Sequence, residues 1–169
     1  GILTDIDDTL TTDGAITPDA LQALGALKAS GLHVIPITGR PVGWSEPFAA
    51  TWPVDAIVAE NGAVALQRSA EVFDQNSPLP NHSKREQLSK IYQQDAATRA
   101  ANYANMQQVL AQIEREVPGA RRATDSPGRE TDIAIDHSEF THLPQDAIDH
   151  AVRIMRDAGM NATVSSIHI

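Results

Sequence analysis

Three short apolar segments, residues 1–6, 32–37 and 55–59, each run straight into a compact polar cluster: Asp5-Ile6-Asp7-Asp8, Thr38-Gly39-Arg40 and Glu60-Asn61-Gly62. Between the first two lies a helical stretch. Thr17 suits an N-cap, Pro18 the first helical position and Asp19 the first turn, with Ala20, Leu21, Leu24 and Leu27 on an apolar face and Gly31 as the stop. Residues 42–50 predict a second, shorter helix before the third apolar segment. Strands alternating with helices predict an α/β fold with a parallel sheet. Such sheets bind ligands beyond the carboxyl ends of their strands, and all three polar clusters fall at that rim. Residues 63–67 predict one more strand, leaving the sheet.

The remainder reads differently. Leu88, Ile91, Met106, Val109, Leu110 and Ile113 recur at helical spacing over 84–116, and residues 129–136 alternate with Thr131, Ile133 and Ile135 on one face. Residues 144–158 form an amphipathic helix closed by Gly159, and 162–169 predict a final strand. This is an α+β lobe. The loop Asn76-Ser77-Pro78-Leu79-Pro80-Asn81 lies near the junction, and the reading divides the chain into 1–67 and 68–169. The charge is −9 over 169 residues, which argues against a nucleic-acid binder or a basic membrane-surface helix as the working state. Residues 1–67 hold two basic and eight acidic side chains, so the acidity concentrates where the polar clusters are. With no Cys, disulfides, thiol nucleophiles and thiolate metal sites are excluded, and a reducing cytoplasm suits the composition. No apolar run is long enough to span a bilayer.

Asp5, Asp7 and Asp8 put three carboxylates within four residues at a strand end. Their repulsion calls for protonation or a cation. Hard oxygen donors suit Mg²⁺, which keeps waters and shares its coordination with substrate phosphate. One carboxylate can act as nucleophile and form an aspartyl-phosphate, and a neighbour can serve as general acid and base. Thr38 offers a hydroxyl, Gly39 lets backbone approach a phosphoryl oxygen, and Arg40 can neutralise charge or pair with an acid. A calcium-binding EF-hand over 5–16 fails, because Leu10 takes the obligatory Gly place and Ile16 the bidentate Glu place. Glu60-Asn61-Gly62 reads equally as a tight turn and as a ligand contact. Trp44 and Trp52 read as packing residues, and Arg121, Arg122 and Arg129 as solvated or paired with nearby acids rather than ligands of an anion.

Asp5-Ile6-Asp7-Asp8-Thr9-Leu10 resembles the first motif, D-x-D-x-[TV], of the haloacid dehalogenase (HAD) superfamily. Ile37-Thr38-Gly39-Arg40 looks like its second motif. Glu60-Asn61-Gly62-Ala63 is similar to the E-N-G-A string of subfamily IIB, the Cof-like and sucrose-phosphatase-like branch. The resemblance implies a Rossmann-like core with an α+β cap inserted after the third core strand. It implies a Mg²⁺-dependent phosphatase acting on a small phosphorylated metabolite, with sugar phosphates the substrate class of the branch. By the same resemblance Asp5 is the nucleophile and Asp7 the acid and base. The Asp5 carboxylate and the Asp7 carbonyl are the metal ligands, and Thr38, Gly39, Arg40 and Asn61 are phosphate or substrate contacts. Asp8 stands where many relatives have Gly. The family pattern continues with a Lys and a G-D-x-x-N-D-like motif beyond the cap, and neither occurs here. The expectation is therefore the N-terminal core portion and cap of a longer protein. A phosphomutase of the same superfamily and a non-catalytic binding module are the alternatives. A response-regulator receiver would need a phosphoacceptor Asp where Glu60 stands.

Overall fold

The computed structural model describes residues 1–68 and 88–169, and the loop at 76–81 lies outside them. Contacts divide the chain into two units, Gly1–Gln93 and Gln94–Ile169.

The first unit holds β1 (Ile2–Asp5), β2 (Thr11–Thr12), β3 (Ala15–Ile16), α1 (Pro18–Ala29), β4 (Val34–Ile37), α2 (Val42–Thr51), β5 (Ala56–Ala59), β6 (Val64–Arg68) and β7 (Leu88–Tyr92). Its main sheet runs β1-β4-β5-β6-β7. β1, β4 and β5 are parallel, as the β-α-β-α-β reading predicts. Ile6, Val34, Val42, Ile57, Val64 and Leu66 are fully buried against this sheet, each contributing roughly 1.5–3 kcal/mol relative to an exposed side chain.

Local chemistry sets the helix ends. Thr17 Oγ1 accepts the Ala20 N–H at 3.4 Å, Pro18 opens α1, and the helix closes before Gly31 at φ 79°. The buried face of α1 is narrower than predicted, since Leu24 is buried while Leu21 is exposed. α2 has no side-chain cap from its own Pro41. At its other end Arg68 donates to the carbonyls of Ala49 (3.0 Å) and Trp52 (2.7 Å), satisfying acceptors the helix leaves open.

The sheet departs from the sequence reading in two ways. The strand expected to leave it stays: β6 pairs antiparallel with β5 over four residues. Of the helix expected over 84–116, residues 84–87 lie outside the described residues, Leu88–Tyr92 pairs antiparallel with β6 as β7, and the helix itself is α3 (Ala96–Glu116). Leu88 and Ile91 therefore belong to a strand. The true start signal is Asp95, whose carboxylate accepts the Thr98 N–H at 2.9 Å.

The second unit packs α3 and α4 (Gln145–Asp157) around Val109, Leu110, Ile113, Ile148, Val152 and Met155. A small ladder joins β8 (Arg121–Arg122) to β9 (Ile135–Asp136). The strand predicted over 129–136 shrinks to its last two residues, because Arg129 is turned inward onto Asp125 and Asp132. The strand predicted over 162–169 is likewise reduced. Ile169 and Ile135 exchange backbone hydrogen bonds at 3.0 Å, His168 bridges Asp136, and the preceding residues are irregular.

Candidate active site

Register brings the polar clusters together. Asp5 at the end of β1 pairs with Ile37 at the end of β4, and Ile37 pairs with Val58 in β5. The following residues therefore emerge at one rim. Their loops are tied to each other: Thr38 N–H donates to Val58 O (2.9 Å), Asn61 N–H to Thr38 O (3.3 Å) and Glu60 N–H to Arg40 O (3.1 Å).

The loop after β1 winds about the carbonyl of the fully buried Ile6. Four donors converge on it, the N–H groups of Thr9, Leu10 and Thr11 and the Thr11 hydroxyl, at 3.0–3.3 Å. This leaves Asp5 exposed, Asp7 half-buried and Asp8 exposed. Asp8 sits at φ 55°, the left-handed region that favours glycine and that Asp tolerates. The substitution for Gly noted in the sequence is thus one the backbone accommodates.

Asp5 Oδ2 accepts the Thr9 hydroxyl at 3.4 Å. Both oxygens of Asp7 are held from the next strand: Thr38 Oγ1 donates to Oδ2 at 3.3 Å, and Arg40 Nε donates to Oδ1 at 3.1 Å. Thr38 is itself buried and accepts the Arg40 N–H at 3.0 Å. The Arg40 guanidinium lies 5.6 Å from the ring centroid of Trp44. Trp44 meets Phe48 edge-on at 4.6 Å, and Phe48 meets the buried Trp52 at 4.7 Å. The two tryptophans are packing residues, as read from the sequence.

Glu60 and Asn61 take left-handed conformations, φ 49° and 55°. Glu60 is 2% exposed, and its Oε1 accepts the Val42 N–H at 2.9 Å, supplying the cap that α2 lacks. Asn61 is exposed, and its amide fills the space beside Gly39: a Cβ added there would stand 2.9 Å from Asn61 Oδ1. Asp5, Asp7, Thr38, Gly39, Arg40 and Asn61 thus lie together, and Glu60 is built into the scaffold.

Beside the acidic loop, a hairpin also escapes the sequence reading. β2 and β3 form a hairpin around Asp13 and Gly14, φ 51° and 77°. Asp-Gly between β-branched residues is the signal that would have found it. Thr11, which opens the hairpin, is also the residue that grips Ile6, so the hairpin is anchored to the acidic loop.

In the second unit Arg122 and Arg129 pair with acids, as expected, and Arg121 is exposed. Arg122 forms a bidentate pair with Glu114, at 2.8 and 3.0 Å, which holds the Glu114 carboxyl below its usual range. Arg129, only 6% exposed at its side chain, bridges Asp125 and Asp132 at 2.9 Å. A cavity of about 360 Å³ opens above them, lined also by Tyr103, Gln107, Thr124 and Ser126. His168 is held by Glu139 at 3.0 Å.

Comparison with known proteins gives the class. The chain matches the haloacid dehalogenase-like hydrolase family over residues 2–155 and belongs to it. Among solved structures, it is similar to a Thermoplasma acidophilum protein with a TM-score of 0.64 at 14% identity, covering 98% of this chain and 61% of that one. A trehalose-6-phosphate phosphatase related protein aligns with a TM-score of 0.52 at 14% identity, over 99% of this chain and 66% of that one. An ATP-bound IMP-nucleotidase of Plasmodium falciparum aligns with a TM-score of 0.52 at 11% identity, over 92% and 40%. At these identities the likeness is one of fold. The chain spans 61% of the length of the Thermoplasma protein. No curated protein matches it in sequence. Among the described residues, no helix is long and apolar enough to cross a membrane.

Proposed function

We propose that this chain supplies the N-terminal core portion and the cap of a subfamily IIB phosphatase that hydrolyses a small phosphate monoester. The observation that carries this reading is the register of β1, β4 and β5. It sets Asp5 level with the strand ends that lead into Thr38 and Asn61, while Asp7 lies two residues beyond Asp5 with both oxygens held.

The donors at the rim suit Mg²⁺, since the Asp5 carboxylate and the Asp7 backbone carbonyl are hard oxygens and this ion takes few protein ligands. Among the described residues no group of three or more His, Cys, Asp or Glu could hold a metal, so these residues offer part of a shell. When bound, Mg²⁺ supplies positive charge against the phosphoryl oxygens. The rest of the chemistry belongs to the chain. An Asp5 oxygen attacks phosphorus in line, the P–O bond to the leaving alcohol breaks, and Asp7 gives that oxygen its proton. Asp7 then takes a proton from water as the water attacks phospho-Asp5, releasing phosphate and restoring both carboxyl groups. Gly39 and Asn61 form the cradle for the phosphoryl oxygens, and Thr38, whose hydroxyl donates to Asp7 Oδ2, borders it.

The substrate is read as a sugar phosphate. That class comes from the resemblance of Glu60-Asn61-Gly62-Ala63 to the sugar-phosphatase branch of the family. The reaction is placed in the cytoplasm, where a chain without Cys is at home. The full-length protein is expected to hydrolyse an aryl phosphate with Mg²⁺, and Asp5→Asn to abolish turnover. Activity retained in Asp5→Asn would overturn the nucleophile assignment. A phosphoryl group moved within the substrate, rather than released, would mean a mutase.

A further inference from the structure

Arg40 sits two residues beyond Thr38, where a cation could reach a phosphoryl group, yet its side chain is committed elsewhere. Nε donates to Asp7 Oδ1 at 3.1 Å, and the guanidinium lies 5.6 Å from the centroid of the Trp44 ring. Trp44 is braced by Phe48, and Phe48 stacks on the buried Trp52, so one aromatic ladder along α2 supports the arginine. Its backbone is pinned at both ends, by the Thr38 hydroxyl and by the Glu60 N–H. Thr38 Oγ1 reaches the other Asp7 oxygen at 3.3 Å. A carboxylate on a rim loop would otherwise sample several rotamers. Here one strand end grips both of its oxygens, and each oxygen keeps a second lone pair for a proton.

We propose that Arg40 is a positioning residue: with Thr38 it fixes the plane of the Asp7 carboxylate from which the leaving group is protonated, and the α2 aromatic ladder fixes Arg40. The inference rests on the acid–base role proposed for Asp7. It moves Arg40 from the phosphoryl group, where the motif resemblance puts it, to the proton donor.

Leaving groups separate the two roles. A nitrophenolate departs without a proton, whereas an alkoxide needs one. Alcohol release in a single turnover of the full-length protein is measured with 4-nitrophenyl phosphate and with glycerol phosphate. Arg40→Met is expected to slow release from glycerol phosphate about 100-fold and from the aryl ester by less than about 5-fold, with half-saturating concentrations little changed. Arg40→Lys is expected to recover part of the loss. Asp7→Asn is expected to show the same selectivity, and the double variant to be no slower than Asp7→Asn. Equal losses on both esters with weakened saturation would make Arg40 a phosphoryl ligand and overturn the proposal. Should the wild type release neither alcohol, the phosphatase reading fails, and a crystal structure of Arg40→Met still decides the positioning role. A turned Asp7 carboxylate supports it, and an unchanged one overturns it.

Discussion

Replacing Glu60 tests how the rim is built. Its carboxylate is 2% exposed and accepts the Val42 N–H at 2.9 Å, at the start of a helix whose Pro41 provides no side-chain cap. A hydrogen bond to an ionised group contributes about 1.5–3 kcal/mol, and the helix dipole adds roughly 0.3–1 kcal/mol. Truncation to Ala also removes buried methylene, at about 0.8 kcal/mol each. The hydrogen-bond figure is a net one that already includes the cost of taking the carboxylate out of water, so the low ends of these ranges come to about 2.6 kcal/mol. We expect a net loss of about 2–3 kcal/mol for Glu60→Ala and about 1 kcal/mol for Glu60→Gln, which keeps shape and acceptor. For a chain of this size that lowers Tm by roughly 4–12 °C and 2–4 °C respectively. Thermal melting followed by circular dichroism, with urea titration beside it, measures both. If Glu60→Ala melts within about 1 °C of wild type, the buried cap contributes nothing and the reasoning is refuted.

Asp55 gives a pH dependence. The Lys28 ammonium beside it, with the Val34 N–H and His33, lowers its pKa to about 2 from 3.8. A depressed folded-state value means the stabilisation is complete above pH 3.8 and disappears as pH falls towards 2. With Lys28 35% exposed, solvent screening limits the effect to about 1 kcal/mol. Asp55→Asn should therefore cost about that at pH 7 and almost nothing near pH 2, as read by urea titration at the two pH values. Gly39→Ala is expected to displace the exposed Asn61 amide, since the new Cβ would stand 2.9 Å from its Oδ1. Stability should change by less than about 1 kcal/mol, because a side-chain end can swing aside, while KM for an aryl phosphate rises several-fold. An unchanged KM would remove Asn61 and Gly39 from the phosphoryl cradle.

The parallel core was legible because its signals are local: Thr17-Pro18 at a helix start, Gly31 at a helix end, and apolar segments running into polar clusters. The gathering of Asp5, Asp7, Thr38 and Asn61 at one rim followed from strand polarity alone. What stayed hidden depends on partners distant in sequence. Leu88 and Ile91 carry helical spacing, yet pairing with β6 makes them a strand. Residues 129–136 alternate like a strand, yet two carboxylates draw Arg129 inward and end the alternation. Glu60 looked like a turn or a ligand contact, and only its burial against α2 shows that it caps a helix. Asp13-Gly14 is a local turn signal, and the hairpin it makes is as legible as the helix ends.

The knot of donors on the Ile6 carbonyl separates the loop's frame from its reactive groups. The shape of the acidic loop is written in main-chain hydrogen bonds and one threonine hydroxyl, while its carboxylates hang outward from that frame. A side chain at position 5 or 7 can therefore be exchanged without asking the backbone to find a new path, while position 8, at φ 55°, suits Gly, Asn or Asp. Shape and reactivity are set by different groups in this loop, so the same frame can carry different chemistry, or none, and still fold.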